Sequence, residues 1–177
     1  VNVTGQSIVG GLMAYASNSS ITDSYATGVV EGTGNRIGGL VGSHDLGSTT
    51  TGSSATGSVK GTDFIGGLVG HNISSRIIAS YATGAVAGTG DYIGGLVGRT
   101  TSSITASYAT GSVSGRFSVG GLLGYASNDS RIIDSYATGT VGGDKFVGGL
   151  LGYEVTTSRI TASYWNTETS ARSKGVG

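Results

Sequence analysis

Apolar residues return at fixed intervals along this chain, separated by glycines and small polar residues, so that aligning them turns the sequence into columns. Val9, Ile37, Ile65, Ile93, Val119 and Val147 each precede a glycine doublet, and Leu12, Leu40, Leu68, Leu96, Leu122 and Leu150 each follow it. Ile21, Ile77, Ile104, Ile132 and Ile160 stand three residues before a second block that begins with serine. Val30, Val59, Val86, Val113 and Val141 stand six residues after the same serine. β-Branched residues dominate these columns and alternate with small or polar ones. No 3.6-residue stripe survives the glycine doublets, so the pattern predicts short strands, about three in each repeat.

The doublets begin at Gly10, Gly38, Gly66, Gly94, Gly120 and Gly148, spaced 28, 28, 28, 26 and 28 residues apart. Six units of this length in 177 residues predict a single all-β domain over 1–177, with 164–177 as a terminal cap or tail. One repeat suits one coil of a right-handed parallel β-helix, a β-solenoid whose coils hydrogen-bond to one another about 4.8 Å apart. The paired glycines fit a tight bend or a close approach of backbones. A β-propeller or β-prism with an antiparallel sheet per repeat is the rival architecture.

Composition sharpens the picture. Glycine supplies 35 residues and proline and cysteine none, yet the fixed apolar columns set the chain apart from disordered glycine-rich sequence. Without cysteine there is no disulfide framework and no thiol metal site, so stability must come from packing and backbone hydrogen bonds. Ten basic and ten acidic residues cancel, which leaves no electrostatic footprint for nucleic acid. No apolar run approaches the roughly 20 residues of a membrane-spanning helix. The chain opens at Val1 without a Met or a signal sequence, as expected of a mature product or a piece of something longer.

The run IGGLVG followed by I-x-x-SYATG-x-V-x-G resembles the GLUG repeat of bacterial surface proteins, including IgA peptidases and large adhesins. The terminal SYWNTETSARSKGVG is similar to the segment that closes GLUG arrays. The resemblance implies placement at the cell surface or outside the cell and an adhesive or stalk role, with no catalysis and no cofactor. The partner it implies is a ligand on a host or neighbouring cell, protein or glycan. The second repeat departs from the pattern: Thr50 replaces the isoleucine, Ser54 replaces the tyrosine, and Ser43 to Gly52 reads as a polar loop expected to bulge from the stack.

Candidate chemistry is sparse. His44 and His71 have no second ligand at coordinating spacing, and His71 shares a column with Tyr15, Arg99, Tyr125 and Tyr153 that predicts a partly exposed face. Asp23 and Asp134 share a column but sit four coils apart, or about 19 Å, against the 5 to 9.5 Å of a glycosidase pair. Asp63, Asp91 and Asp144 read as solvated corner residues. Neither a nucleophile elbow nor a phosphate loop is present.

Two surface features remain. Tyr25, Tyr81, Tyr108, Tyr136 and Tyr164 predict an aromatic ladder, which stacking between coils explains and which would also serve as a binding surface. Asn2, Asn18, Asn72 and Asn128 each begin a glycosylation sequon. Thr27, Thr56, Thr83, Thr110 and Thr138 form one threonine row, fewer than the two per coil that an ice-binding array requires. The first coil and the last, around Ile160 to Asn166, are each expected to leave a strand edge unpaired, so that copies of the chain would join end to end as an open fibre.

Overall fold

The computed structural model describes residues 1–128, 130–155 and 158–177. The chain winds into six stacked coils, and every strand pairs in parallel with its counterpart in the neighbouring coil. The antiparallel alternatives are thereby excluded. Each coil holds five short strands where the sequence predicts about three. In the third coil they are Val59–Gly61, Ile65–Gly66, Val69–Asn72, Arg76–Ile78 and Tyr81–Ala82. The five positions build five six-stranded sheets, here A to E in chain order. The extra strands are the short pieces of sheets B and E, two residues long in sheet E and two or four in sheet B.

Register puts like on like. Val59 lies between Val30 and Val86, Ile65 between Ile37 and Ile93, and Ile104 between Ile77 and Ile132. The interior has two lobes. The Val and Ile columns of sheets A and B fill one, and the Leu, Val, Ile and Ala columns of sheets C, D and E fill the other. Leu40, Leu68 and Leu96 are wholly buried in the second.

The glycine doublet runs between the lobes. A methyl group added at Gly39 would collide with the carbonyl of Gly67 in the next coil and come within 2.8 Å of the Ala55 side chain across the interior. Gly67 and Gly95 face Ala82 and Ala109 in the same way. Opposed glycine and alanine let the two walls approach, and any larger residue on either wall would force them apart. The doublets therefore serve close approach. The left-handed corners fall to other residues, such as Phe64, Tyr92, Ala79 and Ala106 with φ between 48° and 64°.

The block serine has a structural task that its position in sequence does not reveal. Ser53, Ser80, Ser107 and Ser135 each sit one residue past a left-handed corner, or past Gly52, where the backbone amide turns away from the ladder. The amide of each serine donates instead to the hydroxyl of the serine in the next coil, at 3.1, 3.1, 3.2 and 3.1 Å. That hydroxyl in turn donates to the carbonyl two residues before it, as Ser80 does to Ile78 at 2.8 Å. A buried amide without a partner would cost about 1 to 3 kcal/mol, and the serine row removes that cost once per coil.

Two expectations are overturned. The second coil does not bulge: Val41–Asp45 and Thr49–Thr51 pair in register on both sides, and Ser43, His44, Ser48 and Thr50 are wholly buried. Only the tip at Leu46 and Gly47 projects, with Leu46 67% exposed. His44 points inward and bonds Asn72 at 3.1 Å, with Thr50 Oγ1 3.5 Å from its other ring nitrogen. Asn72 donates to Thr100 Oγ1 and to the Ser75 carbonyl, both at 2.9 Å. Thr50 thus replaces isoleucine because its neighbour is a buried imidazole, and the polar residues answer one another.

The two ends also differ. The first coil is bare, and Leu12 is 51% exposed although its column is core elsewhere. Much of the last coil is covered by its own tail. After Asn166, whose side chain caps the short helix Thr167–Ser170, the chain turns across the stack. The Lys174 carbonyl accepts from Gly149 at 2.9 Å and the Gly175 carbonyl from Leu150 and Leu151 at 3.0 and 2.8 Å, as a seventh coil would. Trp165, in register with Ala137, lies against Gly149 and Gly175, and its indole N–H donates to the Arg172 carbonyl at 3.0 Å. Small residues let the tail lie flat where the next doublet would lie, so it imitates the repeat at this edge.

Leu68→Ala removes a wholly buried side chain from the third coil and should lower unfolding stability by about 2 to 5 kcal/mol. Denaturant titration measures this, and a loss under about half a kcal/mol would show that the column is not core.

Candidate ligand-binding faces

On the outside of sheet E, Tyr81, Tyr108, Tyr136 and Tyr164 stack in one line, with ring centres 4.9, 4.9 and 5.6 Å apart and planes 2°, 5° and 5° from parallel. Tyr25 stands apart from them, because Ser54 occupies the rung between it and Tyr81. Burial, with Tyr136 and Tyr81 on either side, pushes the Tyr108 hydroxyl up. The rings use their faces on each other, so the ladder offers a partner mainly ring edges. This favours a structural role for the inner rungs. Tyr25 and Tyr164, at 72% and 62% exposed, are its open members.

The sequons divide. Asn2, Asn18 and Asn128 are exposed, the last two at left-handed positions between sheets C and D. Asp129, the middle residue of the Asn128 sequon, lies outside the described residues. Asn72 cannot carry a glycan in the folded chain: it is wholly buried and its amide nitrogen is engaged in the network with Thr100 and Ser75.

The structure brings together a second aromatic group that column reading missed, at the edge between sheets B and C. Phe64 stacks on Tyr92 at 5.1 Å, Tyr92 meets Tyr125 edge-on at 4.8 Å, and Phe146 lies 4.5 Å from Tyr153. The Arg99 guanidinium sits 5.6 Å from the Tyr125 ring centre. Phe64, Tyr92 and Phe146 occupy the left-handed corner, which points them across the edge onto the outer face of sheet C. In sequence that column reads Ile8, Arg36, Phe64, Tyr92, Ser118 and Phe146, and its mixture conceals the cluster.

Recesses open on other faces. One, of about 720 Å³, runs over sheet A and is lined by Gly5, Gly32, Gly61 and Gly88, beside the Lys60–Glu31 ion pair of 3.2 Å. A polar one of about 540 Å³ on sheet D lies between Arg76 and Arg131 and is edged with serines. Asp23 and Asp134 stay in separate coils at exposed corners, and Asp63 Oδ1 accepts from the Asp91 amide at 2.7 Å. Among the described residues no group of acidic and histidine side chains gathers at metal-binding distance. No helix among them is long and apolar enough to cross a membrane.

Residues 5–31, 89–114 and 115–142 match the family model described as the GLUG motif. The chain carries GLUG repeats. No curated protein and no solved structure matches it. The GLUG matches fall on coils one, four and five, and register extends the same columns through the remaining three.

Within the stack His71 departs from the partly exposed face expected for it. It is 6% exposed because Phe64 leans over it, ring centres 5.5 Å apart, while Arg99 approaches its Nε2 at 3.2 Å. Its Nδ1 has no hydrogen-bond partner among the described residues. Burial, with the Arg36 and Arg99 charges beside it, lowers its pKa to about 4. Burial lowers His44 as well, against the Asn72 bond and Asp45.

Between pH 6.5 and about 4 the unfolded chain binds a proton at His71 that the folded chain does not. Stability is therefore full above pH 6.5 and falls as the pH drops towards 4, by an amount on the order of 3 kcal/mol for this residue. Denaturant midpoints across this range should show the loss, and His71→Phe should flatten the curve in part, leaving the contribution of His44.

Proposed function

We propose that the chain is an extracellular structural and adhesive repeat domain of a prokaryotic cell-surface protein. It acts as a stiff spacer that binds a surface ligand, protein or glycan, through its lateral faces. The observation that carries this is the contrast between the two sides of the same strands. Most inward columns are nearly uniform and, past the first coil, buried, whereas the outward column of Tyr15, His71, Arg99, Tyr125 and Tyr153 changes from coil to coil at the edge between sheets B and C. Interior uniformity supplies a rod, and exterior variation is where recognition can differ between coils. The GLUG matches support placement at the cell surface. The reading assigns no catalysis and no cofactor.

Assembly end to end into a filament is the second reading, favoured by the bare first coil. An open fibre needs two complementary ends, and the tail lies over much of the other one, so lateral binding is preferred.

Beads coated with the chain should be retained on mucin or bacterial wall polysaccharide above beads coated with a β-solenoid of unrelated sequence. Retention equal to that control would overturn the adhesive role. Sedimentation at tens of micromolar should give a monomer, and concentration-dependent fibres would favour the filament.

A further inference from the structure

We propose that the outer face of sheet D binds an acidic glycan, whose carboxylate or sulfate groups meet a row of arginines running along the solenoid axis. The proposal rests on the adhesive reading and names its ligand class. Arg76, Ser103, Arg131 and Arg159 follow one another in register through coils three to six, with the three arginines exposed and Ser103 partly so. Arg76 and Arg131 stand two coils apart, their backbones about 9.6 Å from one another at strand spacing. The short side chain of Ser103 leaves the space between them open as a recess of about 540 Å³, also lined by Ser74, Thr105 and Ile133. Arg131 and Arg159 stand on adjacent coils, about 4.8 Å apart.

Like charges on adjacent rungs of a sheet repel, and no carboxylate in the row offsets them. Neither outward column of sheet D, from Ser20 to Arg159 or from Thr22 to Thr161, contains an acid. Among the described residues the ion pair is Lys60–Glu31 on sheet A, so none of the three guanidiniums has a carboxylate partner there. Asp134 stands at the following corner, and Asp129, two residues before Arg131, lies outside the described residues. Three of the ten basic residues of a chain without net charge are thus gathered in one column. An anion laid along that column relieves the repulsion.

The chemistry of the row selects the occupant. A guanidinium presents a planar fork of N–H donors that matches two oxygens of a carboxylate or sulfate, and the hydroxyls of Ser103 and Thr105 add neutral donors between the forks. One exposed ion pair contributes little in water, so a single free ion is not held. A polymer that engages three arginines is held, because each further contact forms within an already bound molecule. Ile133 offers the C–H surface of a sugar ring an apolar neighbour. Single-stranded nucleic acid fits less well, since neither outward column of sheet D carries an aromatic ring on which bases could stack.

Calorimetric titration of the intact chain at low salt with a galacturonate hexamer and a sulfated maltohexaose tests the site, with maltohexaose, sodium sulfate and a single-stranded hexanucleotide as comparisons. At least one acidic hexamer should bind, more tightly than all three comparisons, and more weakly as salt is added. Arg131→Gln should weaken it about threefold, and Arg76→Gln, Arg131→Gln and Arg159→Gln together about thirtyfold. The triple variant should keep or raise the thermal midpoint, because it removes like charges from adjacent coils. Binding of neither acidic hexamer, equal binding of the hexanucleotide, undiminished binding by the folded single and triple variants, or binding that appears only after Asp129→Asn would overturn the proposal. The bead assay separates the two readings. Retention of both wild-type and triple-variant beads leaves adhesion standing and removes this site as its cause, whereas hexamer binding without retention keeps the site and removes the adhesive role.

Discussion

Each coil must lie one strand spacing from the next, in register, on all five sides at once. That constraint governs the rest of the molecule. Parallel pairing at about 4.8 Å carries a residue onto its counterpart in the next coil, so a side chain is chosen mainly by the column it joins. Where walls meet, the column must be glycine against alanine, as at Gly67 and Ala82. Where the chain turns left-handed and loses a ladder bond, serine restores it. Interior columns hold Ile, Val and Leu because a step in volume in one coil would open a gap against both neighbours.

The same constraint explains how the interior changes when it does. His44 could not replace alanine alone, since a buried imidazole surrounded by methyl groups would be left without partners. Asn72 and Thr100 follow it in the next two coils, and Thr50 faces it within its own, so the chain of hydrogen bonds spans three coils before Ala126 returns the column to apolar packing. The end of the array obeys the rule as well. Tail residues 174–177 reproduce the backbone pattern of a doublet and strand, with Trp165 filling the space beneath.

Outside, the constraint relaxes. Outward residues need only tolerate a neighbour about 4.8 Å away, and the result is either a stack that consumes ring faces, as in sheet E, or a mixed row, as in the column of Tyr15, His71, Arg99, Tyr125 and Tyr153. The first adds stability, and the second varies the surface from coil to coil.

The sequence by itself determined the repeat, its length and the core columns, because these follow from what identical coils must share, whereas the tertiary structure decided between parallel coils and an antiparallel sheet in each repeat. The sequence also placed the tyrosine ladder and pointed to the last segment as a cap or tail. Five strands per coil, the serine bonds and the buried site of Asn72 were decided only by the tertiary structure. Each depends on which way a residue turns at a corner, and left-handed corners at residues as different as Phe64, Ser118 and Asp134 leave no common letter in the sequence. The aromatic edge was concealed for the same reason. Phe64, Tyr92 and Phe146 come together with Tyr125 and Tyr153 through contact between sheets B and C, which column-by-column reading treats as separate rows.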